Sequence, residues 1–205
     1  SDTGRSALDY ITKSTAFSLL VTAEPGSKVE AILNGNVVAS AIADGSGNAL
    51  VALTGLTAGN LSFTARSTDI SGNVSAASQA QVVTIDTAAP ASPTGLGIVN
   101  DTGASSIDGI TRDAGIIVKG RAEADSTVEV ILAGVTRTAI VDAQGDWQVS
   151  FADLSFNDGS HQASVSTIDI AGNRSAKPST YTIKLDTQAP ALTVKAMTPD
   201  TGVSS

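Results

Sequence analysis

Apolar and polar side chains alternate along this chain in short runs with a period of two residues. Val128, Val130 and Leu132 alternate with Thr127, Glu129 and Ile131. Trp147, Val149 and Phe151 alternate with Gln148 and Ser150, and Tyr181, Ile183 and Leu185 with Thr182 and Lys184. Earlier in the chain the same pattern runs through Val29, Ala31 and Leu33, then Ala49, Val51 and Leu53, then Leu61, Phe63 and Ala65. A period of two puts successive side chains on opposite faces of a strand, so each run buries one face. Turn residues bound the runs, and no stretch carries a 3.6-residue period. The pattern predicts an all-β chain in which two antiparallel sheets pack face to face.

The pattern also repeats. Asp2-Thr3-Gly4-Arg5-Ser6-Ala7-Leu8-Asp9-Tyr10-Ile11-Thr12 returns as Asp101-Thr102-Gly103-Ala104-Ser105-Ser106-Ile107-Asp108-Gly109-Ile110-Thr111, and Asp200-Thr201-Gly202 opens a third copy. Asp69-Ile70-Ser71-Gly72-Asn73 matches Asp169-Ile170-Ala171-Gly172-Asn173, and Asp86-Thr87-Ala88-Ala89-Pro90 matches Asp186-Thr187-Gln188-Ala189-Pro190. The period, about 100 residues, is the size of one immunoglobulin-like sandwich of about 7 strands in Greek-key order. The fold expected is therefore tandem immunoglobulin-like β-sandwich domains arranged end to end. The Pro-containing signatures read as junctions, because Pro removes a ladder donor and favours extended backbone before it. They divide the chain into a first domain over 1–90, a second over 91–190, and the first strand of a following repeat over 191–205. On that phase residues 94–99 form the first strand of the second domain, and the corresponding strand of the first lies upstream of Ser1.

Composition narrows the function. The 205 residues carry a net charge of -8, and phosphate binding needs clustered Lys and Arg, so nucleic acid is excluded as a partner. With no Cys there are no disulfides and no thiolate metal sites. No apolar run reaches the ~18 residues a membrane helix needs, so no membrane insertion is expected of this segment. Aromatics are only 3% of the chain, which suits a thin sandwich core better than a deep enzyme pocket.

The three signatures, in one order and at domain-length period, resemble the bacterial Ig-like repeats of giant non-fimbrial, type I-secreted adhesins and biofilm-associated surface proteins. The resemblance covers essentially the whole chain, twice. It implies a secreted or cell-surface location and a structural role as a rod, with calcium at the junctions, that holds an adhesive region away from the cell. Neighbouring Ig-like repeats of the same chain are the implied partners, with a host-cell surface or other adhesin molecules beyond them, and the segment is expected to be a monomer.

On an Ig-like strand path the Asp101–Asp108 loop and Asp186 share one end of the domain, and the Asp169–Asn173 loop lies at the other. Stacking two domains then gathers Asp2, Asp9 and Asp86 of the first against Asp169 of the second, and Asp101, Asp108 and Asp186 at the next junction. Carboxylates gathered in this way repel one another unless a cation compensates. Calcium takes about 6–8 oxygen ligands, which carboxylates, loop carbonyls and water supply. The lack of His or Cys nearby disfavours zinc, and magnesium demands stricter geometry. The competing reading is that the same Asp residues shape Asx turns.

Asp44–Asn48 and Asp142–Asp146 read as hairpin turns, and Trp147 reads as core. His161 is the only histidine. It falls where the first repeat has Leu61 and is expected to be structural. Glu24 and Glu123 recur in a loop, with no second carboxylate to make a glycosidase pair. No catalytic constellation is present, so an enzyme is not expected. An alternative to the spacer is a module that itself binds host glycan or protein, which requires an exposed aromatic or Arg cluster. Self-association between rods, seen as concentration-dependent dimers, is a third.

Overall fold

The computed structural model describes residues 2–195. The first unit contains β1 (Ile11–Thr12), β2 (Phe17–Thr22), β3 (Lys28–Leu33), β4 (Asn36–Ile42), β5 (Asn48–Leu53), β6 (Gly59–Thr68) and β7 (Gln81–Ile85). The second contains β8 (Thr94–Ile98), β9 (Ile110–Thr111), β10 (Ile117–Arg121), β11 (Thr127–Leu132), β12 (Val135–Ile140), β13 (Asp146–Ser150), β14 (Gly159–Ile168) and β15 (Ser179–Leu185). Each unit is a sandwich. In the first, sheet β1-β7-β6-β3-β4 faces β2-β5. In the second, β12-β11-β14-β15-β9 faces β13-β10-β8.

Two expectations need correction. The sheets are not wholly antiparallel: β1 pairs parallel with β7, and β9 with β15. After β8 the chain changes sheet while keeping its direction, so β9 arrives alongside β15 running the same way. The Asp44–Asn48 and Asp142–Asp146 turns are not hairpins either, because β4 and β5, like β12 and β13, lie in different sheets. In each, the leading Asp folds the turn by accepting two amides: Asp44 Oδ1 from Ser46 and Asn48, Asp142 Oδ1 from Gln144 and Asp146. These Asx turns carry the chain across the sandwich.

The tightest hairpins within sheets are β3–β4 and β11–β12, and both turn through two residues of positive φ. Asn34 and Gly35 stand at 51° and 79°, Ala133 and Gly134 at 51° and 78°. Such two-residue turns match the right-handed twist of the strands they join, and Asn-Gly is their preferred pair. Ala133 adopts the same backbone without a side chain suited to it.

The inward registers form two separate cores. Val29, Ala31, Val51 and Phe63 anchor the first, and Val118, Val128, Val130 and Phe151 the second. At one matched cross-strand pair the facing sheets exchange a large and a small side chain. Where the first unit sets Val21 opposite Ala49, the second sets Gly120 opposite Trp147. The indole fills the space that the valine side chain takes up in the first unit, and Trp147 is 5% exposed. The strand expected over 191–205 falls partly outside the described residues: 191–195 have no strand pairing, and 196–205 lie beyond them.

Candidate metal centre at the junction of the units

The signature loops fold by local hydrogen bonding at one end of each unit. Asp2 Oδ2 accepts the Tyr10 amide at 3.1 Å, and Asp9 Oδ1 accepts the Ile11 amide at 3.0 Å. The second unit repeats the arrangement, with Asp101 Oδ2 accepting from Gly109 at 2.9 Å and Asp108 Oδ1 from Ile110 at 3.0 Å. Thr3 and Thr102 each accept the amide of the residue after β1 or β9, Lys13 and Arg112, at 2.8 Å. Asp86 and Asp186 close the ends of β7 and β15. Their amides donate to the Thr12 and Thr111 carbonyls, and each Oδ1 accepts an amide two residues on, from Ala88 and Gln188.

Asp169 occupies the opposite end of its unit and is 5% exposed. Both its carboxylate oxygens go to Asn173, Oδ1 to the amide at 2.8 Å and Oδ2 to Nδ2 at 2.9 Å. Asp69 holds Asn73 in the same way, and those bonds draw the Asp69 carboxyl below its ordinary pKa.

The two ends meet. Thr3 Oγ1 donates to the Ala171 carbonyl at 2.7 Å, Lys13 Nζ to the Gly172 carbonyl at 2.7 Å, and Asn173 Nδ2 to the Asp86 carbonyl at 2.8 Å. Gly4 lies at φ 94° so close to the neighbouring loop that a Cβ there would stand 2.0 Å from the Ile170 carbonyl oxygen. Asp69-Ile70-Ser71-Gly72 has no such cover: Ile70 is 87% exposed, whereas Ala171, which follows Ile170 in the matching loop, is fully buried.

Of the carboxylates expected at the junction, Asp2 and Asp9 share one loop, Asp86 contributes its backbone carbonyl across the interface, and Asp169 is held within its own turn. At the far end, Asp101 and Asp108 both act on Tyr181, whose hydroxyl pKa is raised first by burial and then by these two charges. Among the described residues, no three His, Asp or Glu side chains converge on one point. Turn chemistry therefore accounts for most of these oxygens.

In each unit one of these carboxylate oxygens is both buried and unpartnered. Asp2 Oδ1 and its counterpart Asp101 Oδ1 are both buried without a hydrogen-bond partner. A buried carboxylate oxygen lacking a donor is destabilising unless a cation or proton satisfies it. The side chains of these loops offer carboxylate and hydroxyl oxygens and no imidazole or thiolate, a donor chemistry that suits a hard divalent ion completed by carbonyls and water.

Sequence reasoning missed the groups that make the direct contact: Thr3, Gly4, Lys13 and Asn173. The first, second and fourth lie inside the repeated signatures, and Lys13 recurs as a basic residue at Arg112, so their periodic return was the available signal. His161 takes a structural part, its Nε2 bonded to the Asn157 carbonyl and its ring edge-on to Phe156. Glu24 and Glu123 occupy matching turns, where their backbone carbonyls accept the Ser27 and Ser126 hydroxyls.

Paired sheets, an edge patch of parallel strand and a repeat of one domain length define an immunoglobulin-like sandwich. Residues 1–87 and 90–187 each match the bacterial Ig-like domain, and the chain belongs to that family. Comparison with curated proteins gives no match. Among solved structures, one similar protein is a Ca2+-stabilized adhesin that helps an Antarctic bacterium reach out and bind ice, at 25% identity and TM-score 0.48 over 90% of this chain. This chain spans about half of that structure, 48% of its length. The fibronectin(III)-like modules of Clostridium thermocellum CbhA give 17% identity and TM-score 0.46, covering 85% of this chain and 88% of theirs. A tetra-tandem repeat from the extending region of a large adhesion protein gives 22% and 0.40, covering 88% and 47%. The chain thus consists of bacterial Ig-like domain over both of the matched segments.

Proposed function

We propose that this chain is a spacer segment of a large, secreted or surface-attached bacterial adhesin, divided into units at 1–90 and 91–190, and that its junctions are stiffened by calcium. The observation that carries the reading is the direct contact between units, in which three hydrogen bonds and the close approach at Gly4 fix one end against the next. Asp2, Asp9 and Asp86 are the proposed calcium ligands at this junction, with the Asp169 loop beside them. Asp101, Asp108 and Asp186 are the ligands at the following one. The orphaned Asp2 Oδ1 and Asp101 Oδ1 support the assignment, because each is a buried anionic ligand still without a partner. A spacer of this kind carries an adhesive region outward and needs no binding site of its own. Calcium met outside the cell also favours the folded form, by about 2.7 kcal/mol at 100 times its Kd.

Small-angle scattering with calcium and then with excess chelator, beside calorimetric titration, tests the reading. Calcium should bind with measurable heat and narrow the particle to one extended population, and Asp2→Asn should weaken both effects. Equal scattering profiles and no heat would remove calcium from the junction and leave the aspartates as turn formers.

A further inference from the structure

The outer faces of the two smaller sheets differ in chemistry. On β2 and β5 the outward positions are Ser18, Leu20, Thr22, Asn48, Leu50 and Ala52, all exposed and none of them charged. Leu20 and Leu50 are direct cross-strand partners and stand 68% and 64% exposed. On β10 and β13 the same places hold Ile117, Lys119, Arg121, Asp146, Gln148 and Ser150, and Arg121 pairs with Asp146 at 3.0 Å. Lys119 and Gln148 therefore stand where the first unit has its two leucines.

The apolar surface extends beyond the leucines. In the second unit Ile140 lines one groove with Lys119 and Gln148. Its counterpart is Ile42, which faces Lys28 in the ladder as Ile140 faces Thr127, and Ile42 is 62% exposed. Residues 31–43, which include β4, carry no charge. This surface belongs to the folded unit itself. In the second unit β8 lies edge-on to β10, with Gly97 beside Lys119, and leaves that lysine exposed. A strand in the same place beside β2 widens the face without covering it. Contiguous exposed aliphatic side chains framed by uncharged polar ones mark a contact surface.

The chain has a net charge of -8, so two copies repel over most of their surface and approach best where neither presents a charge. The outer face of β2 and β5 is such a place. No carboxylate or ammonium on it has to be desolvated, and the same apolar patch on both copies is complementary to itself. We propose that this face is a homophilic contact, in which Leu20 and Leu50 of one copy pack against Leu20 and Leu50 of a second copy about a two-fold axis. Such an isologous contact occupies the face and closes at two copies. Three aliphatic side chains make a small interface, so the contact is of the weak, transient class and gains strength where several such units are held side by side. It departs from the monomer expected from the sequence. It uses neither calcium nor the internal junction, so it does not depend on the spacer reading.

Sedimentation equilibrium of the full chain at concentrations up to about 1 mM, in chelator and again in calcium, provides the test. Wild type should pass reversibly from 20.5 kDa to twice that mass as concentration rises, with the same midpoint in both media. Leu20→Lys with Leu50→Gln installs the residues that the second unit carries at these exposed places. This double variant should keep the wild-type melting temperature and stay at 20.5 kDa throughout. A wild type that remains a single copy at every concentration, a double variant that still pairs, or a mass that grows past two copies would each overturn the proposal. Pairing that appears only in calcium would overturn it as well, by moving the contact to the junction carboxylates, and would leave the spacer reading standing.

Discussion

Replacing Gly120 by alanine places a methyl group 2.7 Å from Trp147 Cζ2, 2.9 Å from Leu96 Cδ2 and 3.1 Å from the Thr94 carbonyl oxygen. Two of the neighbours belong to β8 and the third is a buried ring, and only the end of the Leu96 side chain can shift. Overpacking of this kind destabilises by about 1–3 kcal/mol, from which the reduced freedom of the unfolded chain recovers about 0.4–1 kcal/mol. The net loss of about 1–2 kcal/mol lowers the melting temperature of the second unit by several degrees, at about 4–8 °C per kcal/mol for a domain of this size. Trp147 is the only tryptophan, so its fluorescence reports the unfolding of the second unit alone. Trp147→Ala by itself removes a buried ring and costs about 3–5 kcal/mol. Gly120→Val with Trp147→Ala, however, recreates the Val21–Ala49 pair, and calorimetry should find the double variant more stable than the sum of the single losses, by about 0.5–3 kcal/mol. Additivity to within about 0.5 kcal/mol would refute the size exchange, because it would mean that glycine and indole do not share the space assigned to them.

Four further outcomes are expected. Ala133→Asn, which copies Asn34, should stabilise the second unit by about 1 kcal/mol in urea unfolding, since Asn tolerates the left-handed backbone that Ala does not. Gly4→Ala should broaden the scattering to a hinged particle, because the added methyl would stand 2.0 Å from the Ile170 carbonyl oxygen across the junction, whereas Gly103→Ala, at a similar positive φ but facing open space, should cost only the local backbone strain and leave the particle extended. Asp158 is held below its ordinary pKa by the Thr187 amide and hydroxyl. A lowered folded pKa gives stability that is complete above the unfolded value and is lost as pH falls through the folded one, so Asp158→Asn should flatten the acid limb of a stability-against-pH curve. Tyr181 has the opposite sense: its raised pKa favours folding below the ordinary tyrosine range, and that stability is lost as pH rises through the folded value. Read by phenolate absorbance in a Tyr10→Phe background, its titration should move to lower pH when calcium neutralises Asp101 and Asp108. A titration indifferent to calcium would place the ion elsewhere.

Strand registers were readable in the sequence because burial of one face imprints a period of two, as in Val128, Val130 and Leu132. The separation into units was readable because loop signatures return with domain-length spacing. Sheet membership was not: an Asx turn at Asp44 looks the same whether it joins partners within a sheet or crosses the sandwich. Strands of two residues such as β1 and β9 carry no periodicity, so the parallel pairing with β7 and β15 left no trace in the pattern. At the junction, sequence drew attention to carboxylates, whereas the contact is made by a threonine hydroxyl, a lysine and an asparagine amide. Their partners are backbone carbonyls, and a carbonyl has no signature in the identity of its residue. The orphaned oxygens of Asp2 and Asp101 became visible only once burial was known.

The parallel patch of β1 on β7 has a mechanical meaning. Tension entering a unit through the loop before β1 and leaving it beyond β7 draws the two strands in opposite directions along their common axis. The bonds from Thr84 N to Tyr10 O and from Asp86 N to Thr12 O lie across that axis, so they are loaded in shear and must rupture together instead of unzipping one at a time. The matching bonds from Lys184 N to Gly109 O and from Asp186 N to Thr111 O give the second unit the same clasp. A filament built from such units resists pulling at every repeat with a clasp only two residues wide.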